Sequence, residues 1–358
     1  MVLSKIEEIK IRLMVEGMAV DPGVRNLALG PLTLAEYAST SGVILVLPDE
    51  VWVNAPIAEH NPNFVVRPSI ILSAHEDELV LQVNGEEIPV RFSPMPQDHE
   101  TMSRLGAVIH ADRVRISPVD GCAVTCLFCN IPYEDRYQRR EAADLLQGIT
   151  LALHDEVVPA QHILISGGTP QPGDYDWLNE MYERVANAFR ATVDIMMVPE
   201  EGLLDPGHLK EIGIHGLSIN LEVYNQEVAR RIMAGKWKVG LDRYLNFIGK
   251  AVEIFGEGKV RSLLLVGIES LEDTLRGVSA LAERGCDPVL SPFRPDPATP
   301  LRNNVPPSIE LLREAWERSI EIVGRYSGVV LGPRCIPCTH NTLTFPDDSG
   351  RYYYSRVH

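Results

Sequence analysis

The chain has 358 residues, 45% of them hydrophobic, with 33 Lys and Arg against 49 Asp and Glu, a formal charge of −16. That length holds one large α/β domain with an appendage or two ordinary domains, and the mean hydropathy of −0.03 is that of a globular chain with a sizeable core, not a disordered one. So acidic a chain repels a phosphate backbone, which disfavours a nucleic-acid substrate, and no run approaches about eighteen consecutive apolar residues, which disfavours a membrane span.

The first residues, MVLSKIEEIKIRL, read as an amphipathic helix with neither the apolar core nor the cleavage site of a signal peptide, so the protein is expected in the cytoplasm. Residues 1 to about 100 alternate short helical and strand-like stretches, an α+β region. Its clearest element is ELVLQV and EEIPVRF on either side of Asn84-Gly85, two strand-like runs around a two-residue turn that predict a hairpin. Pro94, Pro96 and the polar PQDHE mark a linker, which puts a boundary near residue 100.

From about residue 112 strands and helices alternate: VRISPV (114–119), HILISG (162–167), TVDIMMV (192–198), GLSINLE (216–222), RSLLLVG (261–267) and PVLSPF (288–293). Six such strands imply parallel βαβ units closed or partly closed into a barrel, whose working residues stand at the C-terminal strand ends. The suggestive residues fall there: cysteines after the first strand, Gly167-Gly168-Thr169-Pro170 after the second, Asn220 and Glu222 at the fourth, Glu269 after the fifth. The proline-rich RPDPATPLRNNVPP then breaks the chain, a helix follows at about 308–325, and GPRCIPCTHNTLTFP adds two more cysteines. The expected division is an N-terminal α+β region (1–100), a barrel (101–305) and a C-terminal helix with a cysteine-bearing extension (306–358).

Six cysteines are too few for a disulfide scaffold, and five of them crowd into two clusters, which in a reducing compartment favours metal ligation. Cys286 stands alone before the sixth strand and is expected to be a buried small hydrophobe. Cys122, Cys126 and Cys129 have C-x3-C-x2-C spacing in a loop just past a strand. Three soft thiolates so close can wrap one corner of an iron–sulfur cube and leave its fourth iron open for a ligand. A structural zinc site would need a further ligand from afar, and buried unligated thiols are the remaining reading.

With that loop the sequence resembles the radical SAM superfamily, over about residues 110 to 300. The resemblance implies a partial (β/α)6 TIM-like barrel. It also implies a 4Fe–4S cluster on Cys122, Cys126 and Cys129 whose open iron takes the amino and carboxylate groups of S-adenosylmethionine (SAM). Reductive cleavage of SAM then gives a 5′-deoxyadenosyl radical that abstracts hydrogen from a substrate. Phe128 looks like the aromatic that precedes the third cysteine near the adenine. Gly167, Gly168, Thr169 and Pro170 look like the glycine-rich stretch that receives the SAM amino group, where a side chain would block the approach. Ser218, Asn220 and Glu222 alternate along one strand and so share a face, where the family places ribose and amino-acid contacts. Arg230 or Arg231 resembles an arginine that pairs with the SAM carboxylate in the biotin-synthase and hydrogenase-maturation branch. Gly267 and Glu269 resemble the fifth-strand motif beside the adenine, and Arg294 is a candidate for a substrate or SAM carboxylate.

Cys335 and Cys338, with His340 two residues on, form a second C-x2-C motif. It reads as half of an auxiliary iron–sulfur site, half of a zinc site, a redox dithiol or plain packing. A further reading folds this loop over the barrel mouth, with Cys335 or Cys338 as hydrogen-atom donor or sulfur acceptor. The strands HILISG, TVDIMMV and GLSINLE lack the second-cluster cysteines of biotin synthase, and residues 1–121 lack the N-terminal triple of lipoyl synthase. The expectation is therefore an enzyme acting on a small molecule in cofactor or natural-product biosynthesis, reduced by a flavodoxin- or ferredoxin-type donor. Radical methyl transfer or sulfur insertion through Cys335 and Cys338 is the alternative chemistry, and a non-catalytic iron–sulfur scaffold is the alternative of another class.

Overall fold

A computed structural model describes residues 3–27, 42–75 and 78–346. Residues 1–2 of the N-terminal helix reading and 347–358 of the C-terminal extension lie outside the described residues. Among the described residues, the chain builds two large sheets and one short antiparallel pair, β9 (Val119–Asp120) with β10 (Gln138–Arg139). The first has the order β1 (Ala19–Val20), β4 (Ile71–His75), β5 (Glu78–Val83), β6 (Glu86–Phe92), β2 (Val43–Leu47), β3 (Val51–Ala55). β5 and β6 are the expected hairpin: Val83 pairs with Glu86 across Asn84 and Gly85, whose φ values of 51° and 82° are the positive pair that a tight hairpin turn requires.

The helix Lys5–Glu16 begins in a capping box between Ser4 and Glu7 and buries Ile9, Leu13 and Met14. It packs on β3 and reaches the helix Ile309–Val323, where Arg313 meets Glu8 at 2.9 Å. No helix among the described residues is long and apolar enough to cross a membrane.

The second sheet has the order β15 (Asp287–Pro292), β14 (Val260–Val266), β13 (Gly216–Ser218), β12 (Thr192–Met196), β11 (His162–Ile165), β8 (Arg113–Ile116), β7 (Ala107–His110). β8 to β15 run parallel and β7 is antiparallel to β8. Helices between successive strands cover one face, for example Leu271–Ala282, capped by Ser270 and burying Leu275, Val278 and Leu281. The other face curls around a cavity lined at two-residue intervals by positions 113 and 115, 164 and 166, 196 and 198, 218, 220 and 222, 261, 263 and 265, and 289, 291 and 293. Six strands converging on one cavity make the sheet a half-barrel, the expected partial TIM-like fold.

Its open side, between β15 and β7, is filled by the chain beyond the last helix. Gly332 N–H donates to Pro288 O at 2.8 Å, Leu343 N–H to Leu290 O at 2.9 Å, and Ser291 Oγ to Asn341 O at 3.0 Å, all along β15. The first sheet covers this segment from outside. Asn54 N–H donates to His340 O at 2.9 Å, and Ile336 packs against Ile44, Val46 and Trp52. The C-terminal segment therefore closes the side of the half-barrel and does not fold over its mouth, because the unpaired edge of β15 offers it hydrogen bonds that the mouth does not.

Lys10 pins the same segment. It is fully buried, and its Nζ donates to Thr339 O at 2.9 Å and Thr344 O at 2.6 Å. Burial pulls its pKa down to about 7 from the ordinary 10.5, although Glu7 opposes the shift. Between those values the fold holds Lys10 neutral while the unfolded chain binds a proton there, so stability rises with pH across that window. Lys10→Met is expected to lose about 1–3 kcal/mol at pH 9, less at pH 6, and to speed hydrogen exchange at 336–345. Denaturation at both pH values checks this, and an equal loss at both would contradict it.

Candidate active site

The cysteine loop is fixed by contacts that leave little room. At Gly121 φ is +65°, and a Cβ there would lie 2.6 Å from Tyr137 N. A Cβ on Gly168 would lie 1.7 Å from Gly121 O, so the turn after β11 presses directly on the loop. Ala123 N–H donates to Thr169 O at 2.9 Å, Leu127 N–H to Ile232 O at 2.7 Å, and Thr169 N–H to Cys122 Sγ at 3.1 Å. Cys126 is buried with Phe128, Val223, Ala229, Met233 and Phe293.

Burial pushes the Cys126 thiol up and the Cys129 thiol to about 12, with Lys236 opposing both. Such thiols ionise only if a strong positive charge arrives, and a metal supplies one. Among the described residues no three His, Cys, Asp or Glu side chains converge as a shell around a single ion. A cubane does not ask for that, since each cysteine binds a different iron. The donor set is three soft sulfurs in a loop held by backbone hydrogen bonds, and it fits a cluster better than a lone zinc.

Phe128, Cys129, Gly167 and Thr169 line one end of the interior cavity, which holds about 310 Å3. Gly168 and Pro170 are not among its lining residues. Ser218, Asn220 and Glu222 line the cavity together, as their alternation implies. Ser218 Oγ donates to Asn220 Oδ1 at 3.0 Å, and Leu263 N–H donates to the same oxygen at 3.3 Å. The continuous ladder stops at Ser218, short of the expected 222, and resumes as a single parallel bridge from Glu222 to Leu264, where Glu222 adopts a left-handed φ of 63°. That turn brings both its oxygens to Lys236 Nζ at 2.8 Å. Burial works against the Lys236 ammonium, but Glu222, Cys126 and Tyr244 together outweigh it and hold the pKa well above the ordinary value.

Lys236 lies in MAGKWK, a stretch without a motif. Arg230 and Arg231 are both exposed on the helix Gln226–Ile232, and the cation that turns inward comes from the short helix after it, Ala234–Trp237. Glu269 accepts from Tyr224 N–H at 3.2 Å and Asn225 N–H at 2.7 Å, where it holds the start of the helix Gln226–Ile232. Gly267, at φ +99°, packs against Pro307. Arg294 lines the cavity, but its guanidinium donates to Asn54 O at 3.2 Å and Asn341 Oδ1 at 2.6 Å and so ties the first sheet to the C-terminal segment.

The other end of the cavity is built by Arg113, Arg115, Arg261 and Cys338. Arg113 Nη1 donates to Cys338 Sγ at 2.6 Å. A hydrogen bond from Cys335, together with Arg113 and Arg261, holds the Cys338 thiol well below its ordinary pKa against the effect of burial; Cys335, the donor, is held well above. Cys335 lines a second cavity of about 820 Å3 with His162, Asp194 and Arg334. The two cysteines thus face different spaces. Cys286 is fully buried, as expected of a small hydrophobe. The arginines escaped the sequence reading, although charges at 113 and 115 flank the start of a buried strand at the two-residue spacing of one face.

Residues 116–278 match the family signature described as the Radical SAM superfamily. Over 194 residues the chain is 23% identical to the bacteriochlorophyllide c C-7(1)-hydroxylase of Chlorobaculum limnaeum, a stretch that covers 54% of this chain and 42% of that protein, less than half of its length. In structure the chain is similar to a methylornithine synthase (TM-score 0.49, 17% identity, 64% of this chain and 68% of that one). It is also similar to a radical SAM methyltransferase from Sphaerobacter thermophilus (TM-score 0.48, 15% identity, 76% and 81%).

The Gly168 contact makes a direct test. Gly168→Ala is expected to displace the cysteine loop and lose most of the iron bound on reconstitution while keeping the circular dichroism of the fold. Gly173→Ala, whose Cβ would meet nothing within 4 Å, keeps its iron. Full iron in Gly168→Ala would contradict the assigned packing.

Proposed function

The chain carries a radical SAM superfamily domain at residues 116–278, and from that premise we propose that it is a radical enzyme acting on a small molecule enclosed in the half-barrel. The observation that carries this reading is the single cavity reached by Phe128, Cys129, Gly167 and Thr169 at one end and by Cys338 at the other. Cys122, Cys126 and Cys129 would hold the 4Fe–4S cluster, and Gly167, Gly168, Thr169 and Pro170 would present backbone to the SAM amino group. When bound, cluster and SAM supply a carbon radical able to take a hydrogen atom from a substrate.

The chain's own residues do the rest. Leu164, Met196, Val198, Leu263, Leu265 and Val289 give the cavity apolar walls that exclude water from a reactive species. Glu222, oriented by Lys236, and Ser218 with Asn220 offer polar contacts to the ribose and amino-acid parts of the cosubstrate. A volume of about 310 Å3 is the size of a small-molecule site. The electron comes from a flavodoxin- or ferredoxin-type donor. The Cys338 thiolate in the same cavity favours a second reading within this chemistry, in which the thiol takes part in methyl transfer or sulfur insertion.

Anaerobic reconstitution tests the proposal. Wild type is expected to bind about four irons per chain and, with dithionite and SAM, to release 5′-deoxyadenosine. Cys126→Ala is expected to do neither, whereas Cys338→Ala keeps both. Undiminished 5′-deoxyadenosine from Cys126→Ala would overturn the ligand assignment, and its loss in Cys338→Ala would overturn the separation of the two ends.

A further inference from the structure

We propose that the substrate is an anion, carrying a carboxylate or phosphate group, and that Arg113 and Arg261 receive that group at the end of the cavity opposite the cysteine loop. The inference rests on the reading of the cavity as a substrate site and names the class of molecule it takes.

The cavity wall holds five cationic side chains, Arg113, Arg115, Arg261, Arg294 and Lys236, against the carboxylate of Glu222 and the thiolate of Cys338. Lys236 is matched by Glu222, and Arg294 is turned to Asn54 and Asn341. Arg261 shares Asp194, at 3.4 Å, with His215 at 3.3 Å. Arg113 has the Cys338 sulfur. After these pairings Arg113 Nε and Arg261 Nη2 remain buried with no hydrogen-bond partner among the described residues, and Arg113 is only 6% exposed.

A buried guanidinium with an unanswered N–H is costly, and two of them beside one cavity, where aliphatic side chains would fill the same wall, are hard to account for by packing. The planar donor fork of arginine matches the paired oxygens of a carboxylate or phosphate. The carboxylate of SAM is not the group that fits. Arg113 is the first residue of β8, about 10 Å below its C-terminal end at ~3.3 Å per residue, and Arg261 is the second residue of β14. Both lie toward the strand starts, whereas the cysteine loop follows the strand end.

Because Arg113 touches Cys338, an anion on the arginines shields that thiolate, which gives a readout in the unmodified protein. Reconstituted wild type is treated with iodoacetamide at constant ionic strength, in sodium chloride alone or with inorganic phosphate, glutarate or the uncharged 1,5-pentanediol. Carbamidomethylation of Cys338 is followed by peptide mass spectrometry. Phosphate or glutarate is expected to slow the reaction saturably, and 1,5-pentanediol is not. Phosphate alone acting assigns a phosphoryl group, and glutarate alone a carboxylate. Arg261→Gln is expected to weaken the protecting anion roughly tenfold. Arg261→Lys, which keeps the charge but not the fork, covers the case in which the first variant does not fold, and is expected to weaken it less. No protection by either anion, or equal protection by 1,5-pentanediol, would overturn the proposal. Iron content and 5′-deoxyadenosine release from the same preparation report separately on the reading beneath it.

Discussion

A parallel sheet that curls only part of the way round leaves its last strand with an unpaired edge and its interior open at the side. Most of this chain outside residues 116–278 answers that constraint. The segment from Gly332 to Leu343 takes the hydrogen bonds of the β15 edge. The first sheet lays Ile44, Val46 and Trp52 over it, and Lys10 caps two of its carbonyls from within the core. Closing the side with chain that carries Cys335 and Cys338 brings a thiolate into the barrel, opposite the loop that carries Cys122, Cys126 and Cys129. The C-terminal extension is therefore part of the cavity wall, and the N-terminal region backs it from outside.

The two ends of that cavity differ in chemistry for reasons of packing. At the loop end, glycines allow backbone to approach backbone, burial pushes the Cys126 and Cys129 thiols up, and Glu222 with Lys236 forms a matched pair. At the far end positive charge exceeds negative, and it is anchored on the Cys338 sulfur, whose pKa Cys335 and two arginines hold low. A substrate spanning the two would be held by its charge at one end and exposed to the radical at the other, a geometry that favours one position of attack.

Much of this was legible in the sequence, because the signals were local. Asn84-Gly85 between alternating runs needs only its own φ values to make a hairpin. The strands at 162–165, 192–196, 260–266 and 287–292 fall inside or within a residue of the runs read as buried strands. The cysteine spacing and the Gly167-Gly168 turn are separated by 45 residues, yet each carries its own pattern, and the structure packs one on the other. What was hidden is long-range. Lys236 sits in MAGKWK, which has no motif, and it reaches the cavity only because Gly235 lets its helix pack on Val124 of the cysteine loop. Arg230 carried the more suggestive pattern and faces solvent. The place of Cys335 and Cys338 depends on which edge of a sheet goes unpaired, and no spacing near them records that. Arg113 stands one residue before the run VRISPV, and the Cys338 sulfur that it touches is 225 residues away.

The central claim is that the loop of Cys122, Cys126 and Cys129 holds a cluster to which SAM binds directly. Electron paramagnetic resonance of the anaerobically reconstituted, dithionite-reduced protein, recorded as SAM is titrated, tests it most directly. The account expects a reduced-cluster signal whose g-values and line shape change saturably with SAM. A cluster signal that stays the same at saturating SAM would contradict the account and return the protein to the class of iron–sulfur scaffolds.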